Sequence, residues 1–135
     1  GLAVEQSSQN PVYYVQYAHA RICSIEKNLA AEGIHPLPQS ELNLDLLTAP
    51  AERALIRHLA NLPQEIVLAA HASDPARITR YTIELATLFH KFYSECRVRG
   101  EDKALMGARF ALCLATRTAL KNALSILKID APQSM

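Results

Sequence analysis

The sequence predicts an all-α protein, a helical bundle of about five helices around one core. Three observations carry that expectation. Apolar residues recur at alternating steps of three and four over long stretches. Prolines stand where helices open, behind a capping residue in two cases, and no run alternates polar and apolar residues as a half-buried strand would. A length of 135 residues suits a single domain and is enough to bury a core.

Asn10-Pro11 reads as an N-cap followed by proline at the first helical position, where a missing N–H costs nothing. From there Val15, Ala18, Ile22, Ile25 and Leu29 form one apolar stripe, and Gly33 stops the helix, which is expected over Pro11–Glu32. Residues 33–47 contain Pro36 and Pro38 and form an ordered connection whose Leu37, Leu42, Leu44, Leu46 and Leu47 can cover core edges. Pro50 opens a second helix bearing Leu55, Ile56, Leu59 and Leu62. Pro63 divides it from a third, Gln64 to Ala72, with Ile66, Val67 and Ala70 expected inward. Asp74-Pro75 repeats the cap and launches a fourth helix with the stripe Ile78, Tyr81, Leu85, Leu88 and Phe92. Gly100 closes that region, Glu101 or Asp102 caps the fifth helix, and the fifth runs to about Lys128. The tail, Ile129 to Met135, contains Pro132 and leaves the helix.

Composition narrows the function classes. Half the residues are hydrophobic and a fifth charged, as in ordinary globular proteins, and no apolar run reaches a membrane span. Gly1 to Gln9 lacks the basic start and apolar stretch of a signal peptide, so a cytoplasmic protein is expected. Those nine residues are expected to be a boundary segment from a preceding domain, with the helical domain over 10–135. Cys23, Cys96 and Cys113 are far apart and sit within helical patterns, which reads as buried reduced thiols. The five histidines are scattered singly, with no metal-ligand spacing, so no metal is expected. A formal net charge of +1 argues weakly against nucleic acid, but a local basic patch needs no large total.

One face of the first helix is unusual. Tyr14, Tyr17 and Arg21 stand at i, i+3 and i+7 beside the buried stripe. Aromatic rings next to a permanent guanidinium charge can stack an unpaired base and hold its phosphate. The same pattern fits half-buried tyrosines with Arg21 paired to a carboxylate, so geometry alone leaves both readings open.

The segment Asn10 to Ile25, NPVYYVQYAHARICSI, closely resembles the opening helix of the anticodon-binding domain of arginyl-tRNA synthetases, often called the DALR domain. FHKFYSECRV, from Phe89 to Val98, resembles a second block of that family, FHxFYxxCRV. RFALCLATRTALKNALSILKIDAPQSM is similar to the family's closing helix and its Ala-Pro-x-x-Met end. Ala123 and Lys128 depart from the pattern, since family members often carry glycine there.

The resemblance implies that Tyr17 contacts the anticodon loop, with Tyr14 and Arg21 on the same face. Tyr93 matches an aromatic that also meets the loop, and Met135 matches a methionine that lies against anticodon bases. Without the resemblance, Met135 would read as a frayed end. Asn10, Gln16 and His19 belong to the matched signature, and their side chains can equally satisfy buried backbone or bridge helices one and four. Arg97 and Arg99 are candidate phosphate contacts. Arg109, Arg117 and Lys121 read as a solvated face, and Cys96 as core.

The chemistry of the whole family, ATP-dependent attachment of arginine to its tRNA, needs a nucleotide-binding α/β domain with HIGH-like and KMSKS-like signatures. Neither occurs in this chain, nor does any phosphate-cradling glycine loop. The resemblance therefore implies a domain that binds arginine tRNA without catalysing anything, holds no cofactor, and partners a catalytic domain that uses ATP and Mg2+. The rival readings are a helical protein–protein interaction module built on the Tyr14/Tyr17/Arg21 face and a small-ligand bundle with a pocket between helices one and four.

Overall fold

Helix α1 (Pro11–Ala31) begins as the Asn-Pro pair dictates: Asn10 Oδ1 accepts from the Tyr13 N–H at 3.1 Å, and proline takes the first helical position. This makes Asn10 a cap. At the other end Gly33 adopts φ +77°, its N–H donates to the Ala30 carbonyl, and the Ile34 N–H donates to that of Leu29. These are the paired bonds of a Schellman motif, and a residue with a Cβ would be strained at that φ.

The computed structural model describes residues 10–135, so the boundary segment expected over 1–9 lies outside the described residues. After α1 the connection carries two short 3₁₀ turns, Gln39–Glu41 and Leu44–Leu46. Helices α2 (Pro50–Ala60), α3 (Leu62–Ala72), α4 (Pro75–Glu95) and α5 (Lys103–Ile126) follow. Asp74 caps α4 and Asp102 caps α5 through their carboxylates. Among the described residues no helix is long and apolar enough to cross a membrane.

Helix α4 is the hub and packs against each of the other four helices. Its Leu85, Phe89 and Phe92 are fully buried among Val15, Ala18 and Ile22 of α1, Leu55 of α2 and Phe110, Cys113 and Leu120 of α5. The fourth-helix stripe is thus corrected at one position: Phe89 is in the core and Leu88 only half-buried. Helices α2 and α4 are also joined reciprocally. The His58 ring lies flat on the Tyr81 ring at 4.0 Å, the Tyr81 hydroxyl donates to the His58 carbonyl, and His58 Nε2 donates to that of Tyr81.

Three further expectations need correction. In α3, Ile66, Val67 and Ala70 face outward, while Ala69 is buried against Ile78 and Ala123. In the connection Leu47 is buried and Leu42 and Leu46 are half-buried, but Leu37 and Leu44 are exposed. Leu37 still touches the bundle, because it lies directly over Gly107, where α5 has no side chain to obstruct it. The three cysteines are free, and Cys23 is only half-buried, whereas Cys96 and Cys113 are in the core.

The fifth helix ends two residues earlier than expected, in a second Schellman motif. The Lys128 N–H donates to the Ser125 carbonyl and the Ile129 N–H to that of Leu124, with Lys128 at φ +59°. This turn sends the tail back across the bundle, where Ile129 and Ala131 pack against the core.

Candidate nucleic-acid interface

Helical spacing places Tyr17, Arg21, Ser24 and Asn28 along one stripe of α1. Opposite them stands Tyr93, in the last turn of α4. The Arg21 guanidinium lies between the two tyrosines, 5.3 Å from the Tyr17 ring centroid and 4.3 Å from that of Tyr93. Behind it, Arg21 Nη1 donates to His90 Nδ1 at 3.1 Å. A guanidinium only donates, so His90 accepts as a neutral ring with its proton on Nε2. Burial and the neighbouring Arg21 charge hold the His90 pKa down to about 4, with the Tyr14 backbone pulling weakly the other way. Its Nε2 is buried and makes no hydrogen bond of good geometry.

Tyr17 is half-buried and Tyr93 is 38% exposed, so each keeps a ring surface open. Tyr14 is different. At 4% exposure it lies inside, its ring 5.0 Å from that of His90. The expectation that it shares the exposed face is corrected: α4 crosses α1 at that turn and covers it, while the longer Arg21 reaches past. Tyr13 takes the outer place instead, stacked on Tyr17 at 6.5 Å with 19° between the planes. Sequence reasoning missed Tyr13 and His90. The i, i+4 spacing of Tyr13 and Tyr17 signalled the first; nothing local signalled the second.

The tail completes the site. Ser134 and Met135 line a cleft of about 330 Å³ together with Tyr17, Arg21, Asn28 and Tyr93. Met135 is 54% exposed, so its thioether is available at the cleft mouth. Gln16 and His19, whose roles the sequence left open, both bind the tail: Gln16 Nε2 donates to the Asp130 carbonyl at 2.9 Å, and His19 Nδ1 to the Pro132 carbonyl at 2.8 Å. Neither bridges to α4 through these bonds.

A second cleft of about 440 Å³ adjoins the first across Tyr93, Ile25 and Asn28, and is lined by Arg97 and Arg99. Arg97 is exposed and makes no ion pair among the described residues. Arg99 is paired with Glu32 at 2.7 Å, but both side chains are open to water, so the pair is weak and exchangeable. The expected solvated face on the fifth helix is corrected for two of its members. Arg109 is held by Glu52 at 2.6 Å, a carboxylate 1% exposed, and Arg117 by Glu26 at 2.6 Å. These arginines join helices; Lys121 alone is exposed.

The site is therefore a groove with two tyrosine rings, a clamped guanidinium, a thioether and a free arginine, which suits flat aromatic groups carrying negative charge. The model of the DALR anticodon binding domain family matches residues 15–135. The chain belongs to this family. Among curated proteins, one relative is the arginine–tRNA ligase of Caldanaerobacter subterraneus subsp. tengcongensis, 52% identical over 134 residues. Those of Symbiobacterium thermophilum and Ruminiclostridium cellulolyticum are 52% and 49% identical. The match covers 99% of this chain and 24% of each relative, so the chain spans about a quarter of their length. Among solved structures, Thermus thermophilus arginyl-tRNA synthetase aligns over 90% of this chain and 21% of its own with a TM-score of 0.75 at 29% identity. A putative arginyl-tRNA synthetase from Campylobacter jejuni aligns over 95% and 27% with the same TM-score and identity. The DALR domain is all-helical here as the sequence predicts.

Proposed function

We propose that this DALR domain grips the anticodon loop of arginine tRNA in the groove between α1, the end of α4 and the tail. The observation that carries the reading is the Arg21 guanidinium held between the half-open rings of Tyr17 and Tyr93, with Met135 beside them. Bases in a loop can unstack and rest on such rings, reading out on their edges against groups such as Asn28. Arg97, free and exposed, reaches for phosphate, and Arg99 joins it when its exposed pair with Glu32 opens. Tyr14 supports the ring of His90 from behind and touches no base.

Within the longer enzyme the domain serves ATP-dependent attachment of arginine to its tRNA in the cytoplasm. Its partner there is a catalytic domain that holds ATP and Mg2+, while the helical domain supplies binding and no chemistry. Preference for the central cytosine of arginine anticodons is part of the same proposal and follows from the family.

Titration of arginine tRNA with the chain and with Tyr17→Ala and Tyr93→Ala tests the reading. Each substitution removes a stacking ring, worth roughly 1–3 kcal/mol, and is expected to weaken binding by about 5- to 150-fold. The logarithm of affinity should fall against that of salt with a slope of roughly −1.4 for two phosphate contacts on a single-stranded loop. Binding unchanged by both substitutions would place the RNA elsewhere on the domain.

A further inference from the structure

We propose that Gln16 and His19 form a two-point clamp whose task is to position Met135 in the cleft, so that the tail is a built part of the site before RNA arrives. The inference rests on the proposed function for its consequence and on geometry for its existence. The second Schellman turn, at Lys128, reverses the chain after α5, and the tail, outside any helix, then passes beside α1. Here Ile129 and Ala131 pack on the core, while the carbonyls accepting from α1 belong to the alternate residues, Asp130 and Pro132. The donors are three residues apart on α1 and so lie on one face of that helix.

Each donor suits the task. The Pro132 carbonyl can only accept, so His19 carries its proton on Nδ1 and is fixed in one tautomer. His19 is 4% exposed and is therefore held in place by its own packing. Pro132 restricts Ala131 to extended backbone, which keeps the two carbonyls in register. Only Gln133 and Ser134 separate the last clamped residue from Met135, a reach of roughly 10 Å. With the clamp closed, that short arm ends in the cleft beside Tyr17 and Tyr93. With it open, the anchoring bonds nearest Met135 are gone and its thioether is spread over a large volume. Gln16 and His19 touch no lining residue of that cleft's RNA-facing rings through these bonds; they are positioning residues acting through the tail.

The chain has two methionines, Met106 and Met135, so the Met135 methyl resonance can be followed by 13C-methyl NMR in the 135-residue chain. His19→Phe and Gln16→Leu each remove a donor, and His19→Asn replaces the imidazole donor with an amide one. The expected result is a narrowed, solvent-like Met135 methyl line in the first two variants and in their combination, with helix content by circular dichroism unchanged. His19→Asn should restore part of the native line. Affinity for arginine tRNA should fall about tenfold in the double variant, comparable to two net hydrogen bonds, and deleting Met135 from that variant should lower it no further. Gln16 is half-buried, so Gln16→Leu is informative even if His19→Phe fails to fold. A Met135 line that stays native in Gln16→Leu and in the double variant would overturn the clamp. So would a released methyl with tRNA affinity unchanged. If the unsubstituted chain binds no tRNA at all, the proposed function fails, and the methyl line still decides the clamp.

Discussion

His90 shows how one half-buried ring, its Nε2 fully enclosed, fixes the chemistry of a neighbouring side chain. Its Nδ1 can hold Arg21 only while the ring is neutral, and burial keeps it so by lowering its pKa from 6.5 to about 4. The folded value lies below the unfolded one, so the unfolded chain binds more protons between these limits. The contribution is complete above pH 6.5 and is lost as pH falls towards 4, on the order of 2 kcal/mol after allowing for residual exposure. Chemical unfolding at a series of pH values should show that loss, and His90→Phe should reduce the slope in this window, leaving the part due to His19, whose pKa is also lowered, chiefly by burial. The glycine that the family often carries at position 128 also gains a reason. Lys128 holds φ +59° at the position after the α5 cap, where glycine is free of the Cβ penalty. Lys128→Gly should therefore stabilise the chain by roughly 0.5–1 kcal/mol, measured by urea unfolding, because relief of left-handed strain exceeds the added freedom of the unfolded glycine. At this scale the sequence was informative about Tyr17, Arg21, Asn10 and Tyr93, whose helical spacing or block context placed them. It was misleading for Tyr14, because whether a residue beside the apolar stripe is covered depends on the crossing of a helix about seventy residues away.

At the scale of elements, helix starts were legible because Asn-Pro and Asp-Pro specify a cap and a first turn locally. The inward face of α3 was not. Leu62, Ile66, Val67, Leu68, Ala69 and Ala70 are apolar on nearly every side, so periodicity does not choose a register. Contacts choose it: Ala69 fits against Ile78 and Ala123, and Glu65 binds Arg77 of α4 at 2.7 Å. The joint between α2 and α5 has the same long-range character. Glu52 accepts from the Ala49 N–H at the start of α2 and also holds Arg109 of α5, with the carboxylate almost wholly buried. Removing one member strands a charge, so Arg109→Met should cost about 3 kcal/mol or more. Arg109→Met with Glu52→Gln should cost far less than the sum of the two single changes, which a double-mutant cycle by urea unfolding would check. Additive costs would mean that the two groups do not depend on each other.

For the whole molecule, the site belongs to no single segment. Its rings come from α1 and α4, and its thioether comes from the tail that crosses back after α5. The three blocks that carry the family resemblance supply these parts, although they lie far apart along the chain. The fold explains the arrangement: α4 is packed on every other helix, and its last turn lies against the stripe of α1 that begins at Tyr17. A total charge of +1 is no obstacle, because most arginines near the core are neutralised by carboxylates while Arg97 remains free at the groove.

The central claim, that this groove reads an anticodon, is tested most directly by binding to two tRNAs identical except at the central anticodon base. The chain should bind the arginine tRNA at least about tenfold more tightly than its partner carrying the changed base, a difference of roughly 1.4 kcal/mol. Equal affinity for the two, at a salt concentration where both bind, would contradict it.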